Sequence, residues 1–180
     1  GEVLNSQSHG SNTQITTRFF FDENNDLRLN YERRRGGNIG VPTLVGTFNA
    51  YFPNSDRDKF NARFETRNVT KELAKLSASF YVQNQNRNFS NILFVPPAPP
   101  FFPGINNFSE TITDTDSLGF DVQSNWILGQ KNFLTVGGSY FRDKNEDSRL
   151  RETRIAVVTR DRTTSVPDAD FGSFALFAQD

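Results

Sequence analysis

The sequence predicts an all-β chain of antiparallel, up-and-down strands forming part of a large transmembrane β-barrel with long extracellular loops. Three observations carry this expectation. Apolar and polar residues alternate with period two through most of the chain, the spacing that puts them on opposite faces of a strand. The alternating segments run to about 9–14 residues, longer than the usual soluble strand of about 5–6 and suited to a tilted membrane-crossing strand of about 9–11. Short and long connections alternate strictly, as do periplasmic turns and outward loops in outer-membrane barrels. Several structureless loops above about 15 residues would be unusual in a compact soluble domain.

The elements follow in chain order. "ITTRFFFD" from Ile15 and "LRLNYERRR" from Leu27 read as two strands joined by a tight turn at Glu23–Asp26. From Asp58, "DKFNARFET" places Phe60, Ala62 and Phe64 on one face and Asn61, Arg63 and Glu65 on the other. After a turn at Thr66–Glu72, "LAKLSASFYVQ" sets Ala74, Leu76, Ala78, Phe80 and Val82 against Lys75, Ser77, Ser79, Tyr81 and Gln83. A helix competes here, because Val69, Leu73, Leu76 and Phe80 also fall at helical spacing. The alternation covers more positions and has β-rich neighbours on both sides, which favours a strand. From Thr115, "TDSLGFDVQSNWIL" sets Leu118, Phe120, Val122, Trp126 and Leu128 against Ser117, Gly119, Asp121, Gln123 and Asn125. A turn at Leu128–Asn132 leads into "FLTVGGSYFRD", and the chain closes on "FGSFALFAQD". Long connections are expected over about Gly36–Arg57, Asn88–Asp114 and Glu146–Asp170, the last with a short extra hairpin around the β-branched run Ile155–Thr159. Aromatic residues near strand ends (Tyr51, Phe52, Phe89, Trp126, Tyr140 and Phe141) suit membrane interfaces.

Composition narrows the function. The 180 residues carry a net charge of −1, so no basic excess points to nucleic acid. With no cysteine there is no disulfide framework, thiolate zinc site or thiol nucleophile. No apolar run is long enough for a membrane helix, which leaves spanning by strands open. The N-terminal "GEVLNSQSHGSNTQ" has no signal-peptide pattern.

No nucleophile–base pair or metal cluster emerges, so no enzyme, catalytic residue, metal or cofactor is expected. The single histidine, His9, reads as an exposed loop residue, since metal ligands come in groups. Asp114 and Asp116 share a strand face as solvated charges or a cation site. "RGGNIG" at Arg35–Gly40 precedes no helix and is a poor phosphate loop. Arg33, Arg34 and Arg35, in "ERRR", suit bidentate contacts to an anionic ligand or a lipopolysaccharide phosphate; the alternative is a charged strand end at the rim of a sheet. "FVPPAPPFFPG", Phe94–Gly104, holds five of the eight prolines, which bars it from pairing in a sheet.

The phrases "DSLGFDVQSNWILGQKNFLTVGGSYFRDKNED" and "FGSFALFAQD" resemble the hairpins and strands of TonB-dependent outer-membrane receptor barrels. "YFPNSDRDKFNARFE" and "LAKLSASFYVQNQNRNFSN" have the flavour of the haem receptor branch. The resemblance spans roughly Thr13–Asp180 as many weak phrases. It implies the bacterial outer membrane with its lipid, and uptake of a ferric siderophore or haem by binding and gated passage. Energy would come from the TonB complex through a plug domain. Such barrels have about 22 strands. The chain offers about seven and no plug, and therefore reads as an internal barrel fragment. Phe101 and Phe102 would then face a ligand, or pack against a plug or a neighbouring loop. The competing expectation is a soluble extracellular β-sandwich binding or adhesion module, in which the proline run is a recognition loop.

Overall fold

The computed structural model describes residues 6–42, 47–129, 132–155, 157–164 and 167–180. Among them every regular element is a strand: β1 (His9–Phe20), β2 (Asn25–Val41), β3 (Phe48–Arg67), β4 (Leu73–Val95), β5 (Ile105–Leu128), β6 (Asn132–Arg154), β7 (Val158–Thr163) and β8 (Ala169–Gln179). The stretch with helical spacing, around Leu73–Phe80, is strand.

They form one antiparallel sheet in sequence order from β1 to β7, with β8 also on β6. β8 pairs with Thr135–Asn145 and β7 with Arg149–Arg154. Both therefore lie along the same edge of β6 and run in the same direction, as one strand interrupted opposite Glu146–Ser148. The sheet thus has seven strand tracks and stays open, with β1 on one edge and β7 and β8 on the other.

The expected long loops are corrected. β2 and β3 extend to Val41 and from Phe48, β4 and β5 to Val95 and from Ile105, and β6 to Arg154, so β3–β6 reach 20–24 residues each. Just beyond the apolar stretches lie tracts without apolar residues (Asn54–Lys59, Gln83–Asn88 and Thr113–Ser117), so hydropathy alternation breaks off there and does not reveal the continuation. Cross-strand side-chain pairs hold them instead. Asn54 donates to Asn86 (2.6 Å), Asn86 to Asp114 (2.6 Å), Asn84 to Asp116 (2.7 Å) and Asn88 to Glu110 (2.7 Å). The extra hairpin of the third connection is real: it is the outer part of β6 with β7. There Glu152 accepts from Arg154 (2.6 Å) and Arg160 (2.8 Å).

Turn chemistry explains the short ends. Asp22 accepts the backbone N–H groups of Asn24 and Asn25, both at 2.8 Å, closing β1 onto β2. Asn68, at φ 54°, and Thr70, whose hydroxyl accepts the Leu73 N–H at 2.9 Å, shape the β3–β4 turn. The β5–β6 turn begins at Gly129, φ +70°; Gln130 and Lys131, from the turn expected at Leu128–Asn132, lie outside the described residues.

The two faces differ in an unusual sense. In the half nearest these turns, cross-strand partners line up in rows. One row reads Phe19, Leu27, Phe64, Ala78, Val122, Gly138 and Leu176; the next reads Thr17, Leu29, Ala62, Phe80, Phe120, Tyr140 and Phe174. This apolar face is the exposed one: Phe120, on an interior strand, is 45 % exposed. The polar face is sheltered, with Ser77 at 8 % and Asp26 at 4 %. The only buried hydrophobic residue among those described is Ala50. A water-soluble sheet buries its apolar face and shows the polar one to solvent; here the order is reversed.

Candidate functional site

The exposed face changes character at a single row. Above Tyr31, Phe60, Val82 and Leu118 comes the row Arg33, Asp58, Asn84, Asp116, Lys144 and Asp170, in register across β2–β6 and β8. Three of these charges, Asp58, Lys144 and Asp170, form ion pairs. Arg35 binds Asp58 at 2.5 Å and approaches Asp56 at 3.7 Å, Lys144 meets Glu146 at 2.5 Å, and Arg142 pairs with Asp170. The Arg35 guanidinium, then the Tyr31 hydroxyl at 2.8 Å, hold the Asp58 carboxyl below its ordinary range. Arg160 and Arg154 do the same for Glu152. A groove of about 630 Å³ crosses this boundary, with Phe60, Val82 and Leu118 on one side and Asp116 and Lys144 on the other. Much of the charge at its rim is taken up by these ion pairs, which directs attention to the other face.

Near the turns, the sheltered face carries a closed ion network. Arg18 donates to Asp26 at 2.9 and 2.8 Å, Arg67 reaches Asp26 (3.2 Å) and Glu65, and Lys75 reaches Glu65 (2.8 Å). Neighbouring carboxylates satisfy these cations.

Farther out, the sheltered face changes. Arg34 stands directly opposite Arg57, which is opposite Gln85. A register shift between Tyr51 and Asn54 turns Phe52 onto this face. There its ring meets Phe89 (5.1 Å between centroids, planes at 52°) and lies under the Arg87 guanidinium at 5.0 Å. Two adjoining cavities share Phe52, Gln85 and Arg87. One, of about 240 Å³, is lined also by Arg34, Ile39, Ser55 and Arg57. The other, of about 510 Å³, is lined also by Phe89, Thr113, Thr115 and Asn145. Three guanidiniums thus face one carboxylate, Glu32, which pairs with Arg57. Among the described residues no carboxylate forms a salt bridge with Arg34 or Arg87, and the buried Arg57 Nε has no hydrogen-bond partner.

The candidate residues from sequence separate. Arg33, Arg34 and Arg35 lie within β2 rather than at its end, and alternation splits them: Arg33 and Arg35 on the exposed face, Arg34 on the sheltered one. Phe101 and Phe102 lie in the β4–β5 connection, which a small bridge between Ala98 and Phe102 closes. The Phe102 N–H donates to the Ala98 carbonyl at 3.0 Å, and the Ala98 N–H donates back at 2.9 Å. Phe101 is 92 % exposed. The sheet order places β3 and the width of β4 between these phenylalanines and the arginines, so the five do not form one site. His9 is in β1, not a loop, with its ring over Gly37. Asp114 and Asp116 take their hydrogen bonds from Asn86 and Asn84, and no metal-holding group of three or more His, Cys, Asp or Glu occurs among the described residues. "RGGNIG" belongs to β2. Of the aromatic strand-end residues, Trp126 and Tyr140 are on the apolar face, whereas Phe52, Phe89 and Phe141 are on the sheltered face. Sequence reasoning missed Arg57, Gln85 and Arg87, because only the register brings them beside Arg34.

No family model, curated protein or solved structure matches the chain.

Proposed function

We propose that the chain is part of the wall of an outer-membrane β-barrel of the TonB-dependent receptor type, taking up a scarce nutrient such as a ferric siderophore or haem. The observation that carries the reading is the inverted sheet: rows of exposed apolar side chains back onto a sheltered polar face. Lipid is the solvent for which that order is favourable, and a membrane barrel pairs an apolar exterior with a polar interior. No helix among the described residues is long and apolar enough to cross a membrane, which leaves strand spanning open.

The dimensions agree. On β5 the apolar positions run from Leu118 to Leu128, roughly 33 Å of strand at a rise of about 3.3 Å per residue. A tilt of about 45° turns this into a band of roughly 23 Å, close to the ~25 Å apolar belt of such barrels. Trp126 near one border and Tyr31 and Tyr140 near the other occupy the levels where aromatic girdles form. The polar extensions of β2–β6 would stand above the outer leaflet. The sheltered face would line the path of the solute, with selectivity set by that wall and by the connections at its mouth. A plug and the TonB complex would supply gating and energy.

Trp126 is the only tryptophan, which gives a direct test. The chain is reconstituted in vesicles of phospholipid brominated on the acyl chains. The reading requires strong quenching of Trp126 by the bromines and weak quenching by aqueous iodide. The opposite pattern would sink it and favour a soluble module.

A further inference from the structure

We propose that the outer part of the sheltered face binds a small organic anion with a planar, apolar body. Arg34, Arg57 and Arg87 would hold its acidic group, and Phe52 and Phe89 its flat face. The inference rests on the reading of this face as a lumen wall and deepens it by naming a class of solute.

Four observations meet here. Arg34 and Arg57 are directly opposed across β2 and β3, and like charges in that position destabilise a sheet. Glu32 pairs with Arg57 alone of the three, whereas nearer the turns Arg18, Arg67 and Lys75 are each matched with Asp26 or Glu65. Arg28, nearer the turns, also stands opposite arginines, Arg18 and Arg63, but lines neither cavity; what sets the outer level apart is the one space that its three guanidiniums share. The Arg57 Nε is buried without a partner, a state whose cost an acceptor in the cavity would remove. Beside the charges lies an aromatic wall that contributes nothing to a core: Phe52 and Phe89 meet at a tilt on the polar face, among Gln85, Thr113, Thr115 and Asn145.

Guanidiniums present fixed forks that match a carboxylate or phosphate edge. The smaller cavity brings the three of them around one space. The larger, at about 510 Å³, is within the range of small-molecule sites and continues along the two rings. An anion seated in the first cavity extends its body into the second. Gln85, shared by both, offers an amide to polar substituents.

The test is calorimetric titration of the full chain, folded in detergent, with 2-naphthoate. Inorganic phosphate and the neutral 2-naphthylmethanol serve as comparison ligands. The expected result is one saturable site for naphthoate, with each comparison ligand at least about tenfold weaker. Arg34→Gln and Arg87→Gln should each weaken naphthoate by about tenfold. Arg28→Gln, on the same face but nearer the turns, should leave it unchanged. Arg34→Lys keeps the charge and loses the fork, and should weaken binding several-fold even if the glutamine variants fail to fold. The proposal is overturned if folded chain shows no saturable binding, if the alcohol or phosphate binds as tightly as naphthoate, or if Arg28→Gln weakens binding as much as Arg34→Gln. Lost binding with Trp126 still quenched by bromolipid would remove this site and leave the barrel. Intact binding with an unquenched Trp126 would remove the barrel and leave the site.

Discussion

The ring of Tyr81 occupies the space that a Cβ on Gly119 would take, directly across from it between β4 and β5. Lys59 Nζ lies 5.3 Å from the centre of the same ring. The aromatic ring thus covers a bare stretch of backbone on the sheltered face, a cross-strand pairing that protects a glycine within a strand. Phe177 covers Gly137 in the same way. Gly119→Ala should displace Tyr81 and cost about 1–3 kcal/mol. Gly172→Ala, whose new Cβ would find its nearest atoms at 3.8 and 3.9 Å, should be neutral or stabilise by about 0.5–1 kcal/mol. Urea midpoints of the detergent-folded variants decide between them.

A charge on the apolar face separates bilayer from water. Phe120→Lys alters a side chain that is already exposed. In water such a surface change stays within about 0.5 kcal/mol. At mid-bilayer it should cost about 2–4 kcal/mol. Folding equilibria in vesicles should show the larger loss, and Ser117→Lys on the sheltered face should not.

The charged row above the apolar band makes stability depend on pH. The Asp58 carboxyl is held low by Arg35 and then by Tyr31, so the unfolded chain binds its proton more readily than the folded one. The contribution is fully present above the ordinary aspartate range near ~3.9 and is lost as pH falls through the lower folded value. Unfolding midpoints from pH 7 to pH 2 should drop in that acid window, and Asp58→Asn should flatten the drop.

The proline-rich connection should split into a dispensable tip and a constrained base. Phe101, 92 % exposed, should tolerate serine with a change within about 0.5 kcal/mol. Gly104 has φ +85°, and a Cβ there would lie 3.0–3.1 Å from the backbone of Pro97 and Val95. Gly104→Ala should cost about 1–3 kcal/mol, read from the same urea midpoints.

The sequence by itself determined the inner halves of the strands. Phe60, Ala62 and Phe64, or Leu118, Phe120 and Val122, fix their common face because strand geometry allows only a period of two. It also determined the tight turns at Glu23–Asp26 and Thr66–Glu72, where residues such as Asn68 tolerate the left-handed backbone that a tight turn needs. The tertiary structure decided three things. The polar tracts, expected as loops, became strand, because asparagine–carboxylate pairs such as Asn84 with Asp116 exist only once β4 and β5 are in register. The direction of the faces was decided next: alternation separates apolar from polar, but only the assembled sheet leaves Phe120 exposed and Ser77 sheltered. The candidate site was decided last. Arg34, Arg57 and Arg87 are far apart along the chain, and Phe52 reaches them through a register shift in β3, which no local pattern of residues encodes.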